Sequence, residues 1–132
     1  MKSSRWILVM IAVLLLDVAC SNDATGGDTQ AGTLTLRLTT PHADDGAMTF
    51  EVGGAPIDSA VVINTSLRLF TRRDGSTIVG AVVGSLANGG VITLHVPDVG
   101  AAARYTATVL EVADPQDALR TSLAGYALTV AP

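Results

Sequence analysis

Thr33-Leu34-Thr35-Leu36-Arg37-Leu38-Thr39 puts an apolar side chain at every second position, and Pro41 stops the run. Successive side chains of an extended chain leave opposite sides of the pleat, so a period of two marks a strand with one face on a core and the other in water. A helix would need its apolar positions three and four apart. The same alternation returns in Met48-Thr49-Phe50-Glu51-Val52, which ends at Gly53-Gly54.

Val61, Ile63, Thr65, Leu67 and Leu69 share one parity while Val62, Asn64, Ser66, Arg68 and Phe70 share the other, which predicts a single long, half-buried strand. Asp74-Gly75 is a turn, and Thr77 to Leu86 follows with both faces apolar, interrupted by Gly80 and Gly84. Asn88-Gly89-Gly90 is a tight-turn signal leading into Ile92, Leu94 and Val96, which alternate with Thr93 and His95. From Arg104 to Ala113 the apolar phase slips between Tyr105-Ala107-Val109 and Leu110-Val112, the mark of a bulge. Asp114-Pro115 breaks that run, Gln116 to Leu119 is weakly helical, and Tyr126, Leu128 and Val130 make the last strand. Seven short strands in roughly a hundred residues predict an all-β antiparallel sandwich, with a small barrel as the alternative.

Leu94-His95-Val96-Pro97-Asp98 followed by Tyr105-Thr106-Ala107-Thr108-Val109 resembles the passage from strand E to strand F in fibronectin type III and immunoglobulin-like domains. The resemblance implies that Tyr105 is the corner tyrosine, hydrogen-bonded to the chain just upstream, with Ala107 where antibody domains carry their second cysteine. The expected fold is therefore one seven-stranded Ig-like β-sandwich over residues 33–132. The chain's one tryptophan is Trp6, so the tryptophan of the third strand has no counterpart.

Of the 132 residues, 48% are hydrophobic and 15% charged, which excludes wholesale disorder, and with 4% aromatics the core must be built mainly of small aliphatics. The net charge of −4 argues against nucleic acid as a partner. Lys2 is the only lysine, so beyond the N-terminus every basic residue is an arginine. P-loop, Schiff-base and Ser-x-x-Lys chemistry are thereby excluded from a mature chain.

Residues 1–19 have the three parts of a secretion signal: Lys2 and Arg5, an apolar run from Trp6 to Leu16, and small residues ending in Ala19. As a helix the run would rise about 16 Å against a hydrocarbon thickness of roughly 30 Å, and Asp17 closes it with a charge. Cys20 is the only cysteine, so no intrachain disulfide can form. Its place after Val18-Ala19 resembles the lipobox of bacterial lipoproteins, although Asp17 stands three places before the cysteine where the pattern has Leu. The resemblance implies that Cys20 takes diacylglycerol and becomes the mature N-terminus, carrying further acyl chains such as palmitate. The alternative is a free thiol beside an ordinary cleavage site. Two acyl chains suffice for stable anchoring. Residues 20–32 hold no large apolar side chain after Cys20 and read as a flexible leash. The resemblance further implies the outer membrane, because Ser21 after Cys20 is not the acidic retention signal known in enteric bacteria.

Chemistry-bearing residues are few. His42 and His95 are the only histidines, and no Gly-x-Ser-x-Gly elbow occurs. His42-Ala43-Asp44-Asp45-Gly46 is the densest polar loop; Asp44 and Asp45 could donate oxygens to Ca²⁺, or the loop could be a plain turn that uses Asp and Gly for its geometry. Asp114-Pro115-Gln116-Asp117 divides the same way. Phe70 with Arg68, Arg72 and Arg73 is the one aromatic and basic cluster, suited to binding an acidic or carbohydrate ligand or to shielding an edge strand. The expectation is a lipid-anchored cell-envelope module without catalytic activity or cofactor. It would engage another envelope protein or, as the alternative, bind carbohydrate or calcium where the loops of Asp45 and Asp114 converge.

Overall fold

The computed structural model describes Asp28–Pro132. The signal sequence, Cys20 and the first part of the leash lie outside the described residues. Eight strands follow in chain order: β1 (Gly32–Thr39), β2 (Asp45–Gly53), β3 (Ser59–Val62), β4 (Arg68–Asp74), β5 (Thr77–Leu86), β6 (Gly89–Val96), β7 (Thr106–Ala113) and β8 (Ala127–Ala131). They form two four-stranded sheets, ordered β3-β6-β1-β8 and β4-β5-β2-β7, with every pairing antiparallel.

The alternation seen in the sequence places the core between the sheets. Leu34, Leu36 and Leu38 of β1 and Ile92, Leu94 and Val96 of β6 face Met48, Phe50 and Val52 of β2 and Val82 of β5, all buried. Each such side chain contributes about 1.5–3 kcal/mol by leaving water. Gly80 has a packing reason: a Cβ there would stand 2.7 Å from Cζ of Phe50. On β7 the register shifts opposite Thr49 and Phe50, leaving Leu110 as the extra residue of a bulge at the place where the apolar phase slips.

The strand count is eight where the sequence predicts seven, because the long strand from Val61 to Phe70 is two strands in different sheets. Asn64 makes the break. Its Oδ1 accepts from the Ser66 N–H at 2.9 Å and its carbonyl from the Leu67 N–H at 2.9 Å, closing a turn that carries the chain from β3 to β4. The parity inverts across it: Val61 and Ile63 are 45% and 48% exposed, while Leu67 is buried.

The segment from Gln116 to Leu119 is not helical. Asp114 Oδ1 accepts from the N–H groups of Gln116 and Ala118, Asp117 sits at φ 66°, and Leu119 bridges back to Ala113. The helical turn is instead a 3₁₀ segment, Val99–Arg104, capped by Asp98, whose carboxylate accepts from the Gly100 N–H. Gln30 belongs to the folded unit, since its carbonyl accepts from the Val99 N–H at 2.8 Å. Tyr105 is buried just before β7, but its hydroxyl donates to the Pro56 carbonyl, 49 residues away, rather than to the chain just upstream. Burial, with Asp98 nearby, raises its pKa.

Candidate functional site

Two places on the sandwich carry concentrated polar or exposed apolar chemistry. The first is the end where β1 hands over to β2. Asp45 opens β2 with only 1% of its surface exposed, and four groups complete its shell. Thr40 donates its hydroxyl to one carboxylate oxygen; Arg120 donates Nε (3.1 Å) and a terminal nitrogen (2.9 Å), and Tyr126 its hydroxyl (2.8 Å), to the other. Arg120 also reaches Asp44 at 2.8 Å. Burial by itself would push the Asp45 pKa up, but the hydrogen bonds from Thr40, Tyr126 and Arg120 and the guanidinium charge outweigh it and hold the carboxyl below the ordinary value of 3.8. The bonds to Asp45 in turn hold Arg120 above the usual arginine range. Burial leads in raising Tyr126, with the Asp45 carboxylate beside it adding to the effect. The His42 ring lies 6.0 Å from that of Tyr126, centroid to centroid.

The two acidic loops do meet here, since a Cβ on Gly46 would touch the backbone of Asp114 and Pro115. Their carboxylates nevertheless point to internal partners. A guanidinium stands where a calcium ion would need Asp44 and Asp45, and Asp114 is spent on its own turn. Among the described residues no group of three or more His, Cys, Asp or Glu side chains could hold a metal ion. The cluster is a clasp joining the β1–β2 connection to the segment before β8. Sequence reasoning found Asp44, Asp45 and His42 but missed Arg120 and Tyr126. No local pattern in the sequence points to them, because the pairing spans 75 residues.

The second place is the outer face of the β4-β5-β2-β7 sheet. Cross-strand register arranges it in three rows. Phe70, Ala81, Thr49 and Glu111 stand side by side across the four strands; Arg68, Val83, Ala47 and Ala113 form the row on one side, and Arg72, Val79, Glu51 and Thr108 the row on the other. Phe70 is 60% exposed on edge strand β4. Beyond β7, Leu119 is also 60% exposed, and it flanks a hollow of about 100 Å³ floored by Ala47, Thr49, Ala81 and Ala113. Small side chains between two large ones make this surface concave. Arg68, Phe70 and Arg72 thus fall on one face, as their common parity implies, whereas Arg73 turns across the sandwich and donates to the carbonyls of Ile57 (2.7 Å) and Asp58 (2.8 Å). Arg73 is a strap between the sheets. Among the described residues Arg120 makes the only salt bridges, so Arg68 and Arg72 on one edge, and Glu51 and Glu111 across the face, have no ion partner among them.

Comparison of the chain with protein-family models, with curated proteins and with solved structures gave no match.

Proposed function

We propose that this chain is a lipid-anchored module of the bacterial cell envelope that acts by protein–protein contact through the outer face of the β4-β5-β2-β7 sheet. The observation that carries the reading is the outward-facing Phe70, 60% exposed between two arginines that have no ion partner among the described residues. A large aromatic with flanking arginines is the composition of interface anchors, whereas an edge shielded only against aggregation would do without the aromatic. Anchoring rests on the signal-like residues 1–19, on Cys20 directly after Ala19 and on the Gly-rich leash. With the mature N-terminus in a membrane, the leash holds the sandwich within a few nanometres of the surface, where a partner is confined as well.

The finer fold assignment, an Ig-like sandwich, belongs to the same proposal. It is supported by the β1–β6 and β2–β7 pairings, which follow the B–E and C–F adjacency of Ig domains. Strand β8 departs from that plan, lying beside β1 rather than beside β7.

Intact mass spectrometry of the membrane fraction tests the anchor: the expected species starts at Cys20 and carries added acyl mass, and a soluble, unmodified chain starting at Met1 would overturn it. Crosslinking in cells tests the surface. A Phe70→Asp chain should lose the crosslinked adducts of the native chain, and adducts that survive unchanged would move the function elsewhere.

A further inference from the structure

The face around Phe70 is complementary to itself, and we infer that its partner is a second copy of this chain, packed sheet to sheet about a two-fold axis. The inference rests on the contact role proposed above and names the occupant of that surface. Its ground is the order of charges across the sheet. Arg68 and Arg72 lie on the outermost strand β4, whereas Glu51 and Glu111 lie on β2 and β7 at the far side, and none of the four has an ion partner among the described residues.

With the strands of the two copies kept aligned, a face can stack on itself about either of two axes lying in the interface. An axis perpendicular to the strands sets β4 over β4 and brings four arginines together, which like-charge repulsion disfavours. An axis parallel to the strands sets β4 of each copy over β7 of the other and keeps every row at its own height. Arg68 and Arg72 of one copy then bracket Glu111 of the other, and Arg72 also lies beside its Glu51. In that stack Phe70, level with Glu111, faces the hollow between Ala81, Thr49 and Leu119 of the opposing chain. The contact is isologous, as a closed dimer requires. Four strands spaced about 4.8 Å and seven residues rising about 3.3 Å each give a projected footprint of about 20 by 23 Å, toward the low end for a specific interface. A dimer of that size would be weak in solution and favoured between chains held on one membrane.

Sedimentation equilibrium of the full chain in detergent tests the inference with two charge-reversal pairs, R68E/R72E and E51R/E111R, each folding as judged by circular dichroism. The native chain should self-associate, each pair alone should weaken association at least about tenfold, and an equimolar mixture of the two should recover it as a mixed dimer. A monomeric native chain, an unperturbed reversal pair or a mixture that fails to recover would each overturn the second-copy assignment. Loss of self-association with Phe70-dependent crosslinking to a different envelope protein would leave the contact role standing, whereas loss of both would end it.

Discussion

Asp45 is the side chain on which one end of the sandwich turns. A carboxylate with almost no exposure is tolerated because three side chains supply four donors, so its charge is both paired and hydrogen-bonded. Removing one donor leaves the charge in place with a poorer shell. Tyr126→Phe should cost about 1.5 kcal/mol, read from the urea midpoint, because a bond to an ionised group is lost at a partly exposed position. Arg120→Ala should destabilise more, since it removes the counter-charge as well. The pH dependence follows from the direction of the Asp45 shift. A carboxyl held below its unfolded value of 3.8 contributes stability above that pH and loses it as pH falls through the still lower folded value. The stability gap between the native chain and Asp45→Asn should therefore be constant from pH 7 to about 5 and narrow below pH 4. A gap unchanged at pH 2.5 would mean that folding does not shift the Asp45 carboxyl. Asp44 and Asp45 stood out in sequence as two adjacent acids. Their actual partners were illegible, because Arg120 and Tyr126 are remote along the chain and come near only when β8 docks against β1.

Strands and turns follow the sequence wherever parity and turn chemistry agree. The strands of Leu34, Phe50, Ile92 and Leu128 stand where alternation puts them, and the β7 bulge falls where the phase slips. The split of the Val61–Phe70 run shows the limit of parity. Asn64-Thr65-Ser66 fits an alternating strand as well as an Asx turn, and only the two-sheet architecture, which needs the chain to cross over there, selects the turn. The 3₁₀ segment is illegible in sequence because Val99–Arg104 is six mostly small residues with no apolar period of their own. Two substitutions test the packing of these elements. Gly80→Ala should cost about 1–3 kcal/mol in thermal or urea unfolding, as the new Cβ meets the Phe50 ring, which neighbouring core side chains hold in place. Tyr105→Phe should cost about 1 kcal/mol through the lost bond to Pro56 and leave the fold intact. An unaltered midpoint for either would remove that contact from the account.

Over the domain as a unit, stability and contact are assigned to different faces, and this separation can be measured. Phe70→Ser should leave the unfolding midpoint within about 0.5 kcal/mol of native, because the side chain is mostly in water, yet abolish self-association. A large loss of stability would show instead that Phe70 is a structural residue. The melting temperature should also be insensitive to millimolar Ca²⁺ or EDTA, since Arg120 occupies the position between Asp44 and Asp45 that an ion would take. A rise in melting temperature with Ca²⁺ would restore the acidic loops as a ligand site.

By itself the amino-acid order determined the all-β class, the inward and outward face of most strands, the parity that puts Arg68, Phe70 and Arg72 on one side of β4, and the signal-like N-terminus. These are local properties, because side-chain period, turn residues and a short apolar run depend on neighbours a few positions apart. The tertiary structure alone decided that Asp45 is held by Arg120, that Arg73 straps the sheets, and that Glu51 and Glu111 share a face with the β4 arginines. Those relations depend on strand order and register, which are set by the burial of the whole core and cannot be read from any one segment.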